Sequence, residues 1–201
     1  MKQPILTFIG VLLLFSCETN KLSTAGAEDI GNIYLFQNGK EKRLFDFEKA
    51  VGIERKAFSL RFFCKQYNRA ENKFHSIRIA AFLDRNDLNS IKKGMKVDEI
   101  TCFSPGSGLS SGRDGYKSLY FTNYGHHYLF YENGESNRLD LIKKQGEYLK
   151  LEFNISSFWV EQKEISINDF EPDIFYLVIL KDLNLNGFVE DNELTKITFV
   201  L

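Results

Sequence analysis

Hydrophobic and polar residues alternate along most of the chain from residue 33 onward, and short turn signals interrupt the alternation. A period of two places the apolar side chains on one face of a strand, so the pattern predicts a chain of half-buried strands. The dipeptide Asn38-Gly39 separates two such runs and predicts a β-hairpin. Residues 57–67 and 74–83 flank a polar connection and predict a second antiparallel pair.

Three stretches depart from this alternation. Residues 84–95 have a helical pattern, with Asp84 or Asp87 as the candidate N-cap, and predict one short helix. Residues 104–116 are rich in glycine and serine and predict a surface loop. Residues 174–180 are continuously apolar, which is typical of a strand that is buried on both faces.

These elements amount to about ten strands and one short helix. They predict an all-β fold, an antiparallel β-sandwich of immunoglobulin-like or related type, with a closed lipocalin-like barrel as the alternative. Aromatic residues make up 14% of the chain, which agrees with strands and a bulky core. No boundary signal follows the start of the pattern, so residues 33–201 are predicted to form a single sandwich domain.

The N-terminus has the pattern of an export signal. Lys2 precedes an apolar run over residues 5–15, which is shorter than the roughly 20 residues needed to span a bilayer as a helix. The run matches the hydrophobic region of a secretory signal peptide instead. Residues 14–17, Leu-Phe-Ser-Cys, resemble the lipobox of bacterial lipoproteins.

This resemblance implies that residues 1–16 are a signal peptide, removed by cleavage before Cys17. The cysteine would then carry acyl chains such as palmitate, and several chains on one residue anchor a protein firmly to a membrane. In Gram-negative members of the family, aspartate after the cysteine favours the inner membrane. Here that residue is Glu18, so we expect an outer-membrane location, on either face. Residues 17–32 are predicted to be the lipidated cysteine and a flexible tether.

The sharpest chemical motif spans residues 182–193, where the sequence DLNLNGFVEDNE fits the pattern D-x-[DN]-x-[DN]-G-x₅-E at every constrained position. Calcium takes six to eight oxygen ligands, and alternating side chains on a curled loop can supply them. Gly187 permits the sharp turn. The predicted metal ligands are Asp182, Asn184, Asn186, the carbonyl of Phe188, Glu190 through a water, and Glu193 with both carboxylate oxygens.

This loop resembles the EF-hand calcium loop, and the resemblance covers only these twelve residues. An EF-hand places a helix on each side, whereas the flanks here, residues 174–180 and 194–201, both have strand patterns. We therefore expect a calcium clip between two strands, with Val189 facing the core. Two asparagines in place of aspartates lower the ligand charge and predict a modest Kd of about 10⁻⁴–10⁻³ M.

Charge and cysteine content narrow the function further. The 26 basic and 27 acidic residues nearly cancel, so the chain has no overall positive charge that would attract nucleic acid, and no nucleic-acid partner is expected. Apart from the predicted lipidation site, the cysteines are Cys64 and Cys102, which form a candidate disulfide in an exported protein; two buried thiols are the alternative.

The sequence thus predicts a non-enzymatic, membrane-anchored envelope lipoprotein with a calcium-stabilised C-terminal loop, serving as a binding or structural surface module. The alternative is a carbohydrate- or peptide-binding module that uses Trp159, other aromatics and the 104–116 loop to hold a glycan or protein ligand. A second alternative is an envelope hydrolase, because Gly108-Leu-Ser110-Ser-Gly112 fits G-x-S-x-G. That motif requires a strand before it and a helix after it in a parallel sheet, which an all-β chain does not offer.

Overall fold

Strands make up most of the secondary structure of the protein. The computed structural model describes residues 32–44, 50–65, 76–103, 118–119, 121, 127–129, 139–146, 148–160 and 163–201. In chain order the strands are β1 (Ile33–Gln37), β2 (Lys40–Leu44), β3 (Val51–Gly52), β4 (Phe58–Lys65), β5 (Ser76–Phe82), β6 (Ser118–Leu119), β7 (His127–Leu129), β8 (Leu139–Gln145), β9 (Tyr148–Ile155), β10 (Ser157–Val160), β11 (Lys163–Ser166), β12 (Ile174–Lys181) and β13 (Leu194–Val200). Helix α1 spans Arg85–Ser90, and two 3₁₀ turns span Val97–Glu99 and Thr101–Phe103.

The first sheet is antiparallel, with the strand order β2-β1-β4-β9-β8. Its first connection is the predicted hairpin, in which Asn38 and Gly39 have φ angles of 53° and 73°. Positive φ at both central residues is the requirement of the tight hairpin turn that matches strand twist. The sequence prediction for this hairpin is therefore confirmed.

The second sheet has the order β3-β13-β12-β5-β6, with β7 also paired to β5. Its pairs are antiparallel except for the short parallel pair β3–β13. The predicted pairing of residues 57–67 with 74–83 is wrong, because β4 lies in the first sheet and β5 in the second.

The two sheets face each other across one apolar core. Side chains from both sheets are almost fully buried there, among them Leu60, Phe62 and Phe153 from the first sheet and Ile79 and Phe175 from the second. Among the described residues neither sheet closes on itself. The all-β sandwich predicted from the alternation is confirmed, and the closed barrel is not formed.

Residues 84–103, here called the covering segment, lie over the outer face of the second sheet. Asp84 caps α1 by accepting a hydrogen bond from the amide of Asn86 at 2.8 Å. Leu88, Ile91 and Val97 of this segment pack on the outer side chains of the sheet in a second apolar cluster. Strand β12 is consequently buried on both faces, as its continuous apolar run predicts.

Candidate metal centre

The loop that joins β12 to β13 spans residues 182–193 and contains the sequence motif. The two strands flank the loop without intervening residues, since β12 ends at Lys181 and β13 begins at Leu194. The amide of Lys181 donates to the carbonyl of Glu193 at 2.8 Å and joins the two ends of the loop. The motif therefore lies between strands and not between helices, as its flanking sequence predicts.

Asp182, the first residue of the motif, is tied to the glycine at the sixth position. The amide of Gly187 donates to Asp182 Oδ2 at 3.2 Å, and Gly187 has a φ of 76°. That backbone conformation favours glycine, which explains the residue type at this turn. The second carboxylate oxygen, Asp182 Oδ1, is buried and has no hydrogen-bond partner in the described structure.

Glu193, the last residue of the motif, is held in a similar way. The residue is 1% exposed, and Oε1 accepts hydrogen bonds from the amides of Leu183 at 2.7 Å and Asn184 at 3.4 Å. Its other oxygen, Oε2, is buried without a hydrogen-bond partner in the described structure. The two carboxylates at the ends of the motif thus each hold one oxygen in place and leave one buried oxygen unbonded.

The electrostatics of Glu193 reflect this position. Burial raises the pKa of Glu193, because the charged form is desolvated, and the nearby charges of Asp182 and Glu190 raise it further. The hydrogen bonds from the two loop amides lower this pKa but do not cancel the increase. The loop therefore holds the charged form of Glu193 at an electrostatic cost, of the kind that a neighbouring cation offsets.

The side chains of Asn184 and Asn186 form the middle of the loop. Asn184 Oδ1 accepts from the amide of Asn186 at 3.0 Å, and Asn186 Oδ1 accepts from the amide of Phe188 at 2.8 Å. The nitrogens of both side chains donate to Glu190, at 3.0 Å from Asn184 and 2.9 Å from Asn186. Each amide oxygen has a second lone pair, so either can also bind an ion.

The backbone of the loop pairs with the covering segment at Phe188. Phe188 and Lys96 form an antiparallel bridge whose hydrogen bonds come from neighbouring residues, Val97 to Gly187 and Val189 to Met95. In such a non-hydrogen-bonded pair the polar groups of Phe188 itself point away from the partner strand. The amide of Phe188 accordingly bonds within the loop, and its carbonyl shares that direction.

Backbone hydrogen bonds join the covering segment to this loop, and the sequence motif does not predict this attachment. Gly94 donates to the carbonyl of Val189, Val189 donates to Met95, and Val97 donates to Gly187, all at 2.8–2.9 Å. The side chain of Val189 is 1% exposed and packs in the second apolar cluster, so it faces the core as predicted. These contacts are between backbone atoms, and no residue type in the sequence could have predicted them.

The donor set fits a hard cation better than a transition metal. The described residues contain no group of three or more His, Cys, Asp or Glu side chains placed to hold a metal ion. The candidate ligands of the loop are instead of mixed chemical type: two carboxylates, two side-chain amides and a backbone carbonyl. Calcium accepts such oxygen ligands, whereas zinc and copper prefer nitrogen or sulfur.

The other predicted site residues lie elsewhere. Cys17 is outside the described residues, as are the 104–116 loop and Ser110. Cys102 is buried in the second apolar cluster, but the side chain of Cys64 is outside the described part of the structure, so their disulfide stays a prediction.

Trp159 lies in β10, partly buried, and its indole nitrogen is buried. The neighbouring Phe158 is fully buried in the core, where it contacts Phe170 and Phe175. A glycan or peptide platform at Trp159 stays a prediction, because the 104–116 loop proposed to share it lies outside the described residues.

Comparison with known proteins leaves the family open. No protein-family model matches the chain. A stretch of 108 residues is 31% identical to the DNA-directed RNA polymerase subunit beta of Heterosigma akashiwo, covering 51% of this chain and 9% of that protein. Since the chain spans less than a tenth of that subunit, the match defines no shared family. Within the described residues, no helix has the length and apolar character needed to cross a membrane.

Proposed function

We propose that the protein is a membrane-anchored envelope lipoprotein without enzymatic activity, and that the loop at residues 182–193 binds calcium to stabilise its sandwich domain. The single observation that carries the calcium proposal is the pair of buried, unbonded carboxylate oxygens, Asp182 Oδ1 and Glu193 Oε2. A buried polar atom without a partner is costly, and a charged one more so. A divalent cation between these carboxylates would satisfy both oxygens.

The residues that would hold the ion are Asp182, Asn184, Asn186, the Phe188 carbonyl and Glu193, with Glu190 contributing through a water. Calcium supplies positive charge and oxygen coordination at this place and no redox or hydrolytic chemistry. The protein's own residues preorganise the ligands, because Gly187 and the amides of Leu183 and Asn184 already fix one oxygen of each carboxylate.

The proposed role is structural because of what the loop connects. It joins β12, which is buried on both faces, to β13, and its backbone carries three hydrogen bonds to the covering segment. A cation in the loop would stabilise the second sheet and its cover together. A sensor would require a surface that opens on binding, and the loop is instead tied down on both sides.

The calcium proposal is tested by direct titration. Isothermal titration calorimetry of the metal-free protein with calcium should give one site with a Kd of about 10⁻⁴–10⁻³ M. Glu193→Gln should abolish this binding, whereas Asp191→Asn should preserve it, because the Asp191 carboxylate is exposed and paired with Lys93. Absence of binding by the native protein would refute the proposal.

The membrane anchor is tested independently. The proposal rests on the resemblance of residues 14–17 to a lipobox, so mass spectrometry of the protein expressed in a Gram-negative host should find a mature chain beginning at Cys17 with acyl chains attached. Cys17→Ser should remove the acyl mass and release the protein from the membrane fraction. A mature chain cleaved elsewhere, or an unmodified Cys17, would contradict this part of the proposal.

A further inference from the structure

Glu190 occupies an unusual position in the loop, because each of its carboxylate oxygens is engaged by a different asparagine. Oε2 accepts from Asn184 Nδ2 at 3.0 Å, and Oε1 accepts from Asn186 Nδ2 at 2.9 Å. A carboxylate is purely an acceptor when ionised, and here it accepts two neutral amide donors in a bidentate arrangement.

The side-chain oxygens of the two asparagines are also held by hydrogen bonds, in this case from backbone amides. The amide of Asn186 donates to Asn184 Oδ1, and the amide of Phe188 donates to Asn186 Oδ1. A backbone N–H donates to an oxygen and not to an amide nitrogen, so these bonds and the bonds to Glu190 define the same orientation of each side chain. Reversing either amide would break a bond at both ends.

We infer that Glu190 is a positioning residue of the calcium site: its carboxylate orients the side-chain amides of Asn184 and Asn186 so that their oxygens are presented to the ion. We call these three side chains the amide clamp. The inference rests on the proposed calcium function and assigns Glu190 a role beyond a water-mediated ligand. Each carboxylate oxygen retains lone-pair capacity for that water.

The amide clamp also explains why neutral residues occupy positions 184 and 186. An aspartate at position 184 would place a carboxylate oxygen where Asn184 Nδ2 now lies, about 3 Å from Glu190, and like charges at that distance repel. Adding a ligand charge normally strengthens calcium binding. In this loop Asn184→Asp should instead weaken it, because the clamp loses a donor and gains a repulsion.

The test uses four forms of the intact protein: native, Glu190→Gln, Asn184→Asp and the double variant. Calcium Kd is measured by isothermal titration calorimetry. In the native background Glu190→Gln should weaken binding about tenfold, because glutamine offers one acceptor oxygen to two amide donors. In the Asn184→Asp background the same substitution should strengthen binding. There the introduced glutamine can donate from its amide nitrogen to the introduced aspartate, while its oxygen still accepts from Asn186.

This reversal of sign distinguishes positioning from charge. If Glu190 acted only through its negative charge, Glu190→Gln would weaken calcium binding in both backgrounds, and that result would overturn the inference. Asp191→Asn is the matched control. It also removes one negative charge, at the residue next to Glu190, but the Asp191 carboxylate bonds Lys93 and neither asparagine of the clamp. We expect it to change the Kd less than about threefold, as for an exposed charge.

A second readout separates failure of the clamp from failure of the calcium proposal. If the native protein binds no calcium, the proposed function fails. The clamp is then judged by melting temperature in chelator, because its hydrogen bonds exist without metal. There Glu190→Gln should lower the melting temperature of the native protein and raise that of Asn184→Asp. Equal shifts in both backgrounds would overturn the clamp.

Discussion

Calcium should raise the melting temperature of the native protein, and Glu193→Gln should remove this effect. The expected size follows from linkage. With a Kd of about 10⁻⁴–10⁻³ M and about 2 mM free calcium, binding to the folded state alone contributes roughly 0.6–1.8 kcal/mol. For a domain of this size about 1 kcal/mol shifts the melting temperature by roughly 2–4 °C, so the increase should be about 1–7 °C.

The substitution is informative because of where the side chain lies. Glu193 is 1% exposed, and Oε2 is buried without a partner in the described structure, so glutamine keeps the volume while removing the buried charge. In chelator the variant should melt at the native temperature or above it, because an uncompensated buried charge destabilises. The variant therefore separates loss of binding from loss of folding.

The assay is thermal unfolding followed by circular dichroism, with about 2 mM calcium or with chelator. Magnesium is the specificity control, since it requires near-ideal octahedral geometry and retains its waters. A melting temperature that calcium leaves unchanged in the native protein would refute the reasoning. An equal calcium shift in native protein and Glu193→Gln would show that the ion binds elsewhere.

Three further outcomes are expected. Val189→Ala should cost about 2–3 kcal/mol in urea unfolding, from two lost methyl groups and the cavity they leave. A loss as small as that of Val200→Ala, at a partly buried position, would contradict the packing. Gly187→Ala should cost about 1–2 kcal/mol, because a Cβ has open space there but φ is 76°; an unchanged midpoint would argue against the turn. Burial raises the pKa of Glu41, but the hydrogen bonds and charges of Lys150 and Arg61 outweigh this effect and hold the pKa below its usual value. The ionised carboxylate of Glu41 therefore stabilises the folded state above the unfolded pKa, and this stabilisation is lost as the pH falls through the folded pKa. Glu41→Gln should lower stability at neutral pH and flatten the acid limb, as measured by unfolding between pH 7 and pH 3.

Local signals in the sequence predicted local structure well. Asn38-Gly39 defines its own turn type, and Asp84 caps the helix that follows it, so both features depend on neighbouring residues alone. The helix is shorter than the predicted 84–95, since α1 ends at Ser90 and the first 3₁₀ turn begins only at Val97. Pairing between strands that are distant in sequence is not predictable in this way: the sequence predicts β5 as the partner of β4, whereas β4 pairs with β9 in the other sheet.

In the candidate site, too, the sequence predicts local features but not those that depend on distant contacts. The motif predicts which side chains belong to the candidate site, because their spacing in sequence determines their spacing in a tight turn. It did not predict that each asparagine would be held by Glu190, since this depends on side-chain orientation. It also did not predict the attachment of the covering segment, whose backbone hydrogen bonds carry no residue preference.

The attachment of the covering segment has a consequence for how the protein reaches its fold. Gly94 and Met95 bond to Val189, so the contact joins parts of the chain that are far apart in sequence. Closing so long a loop costs chain entropy before the contact provides any stabilisation, and high contact order slows folding. We expect the second sheet to assemble late, with the loop and its cover consolidating together, so that calcium slows unfolding more than it accelerates folding.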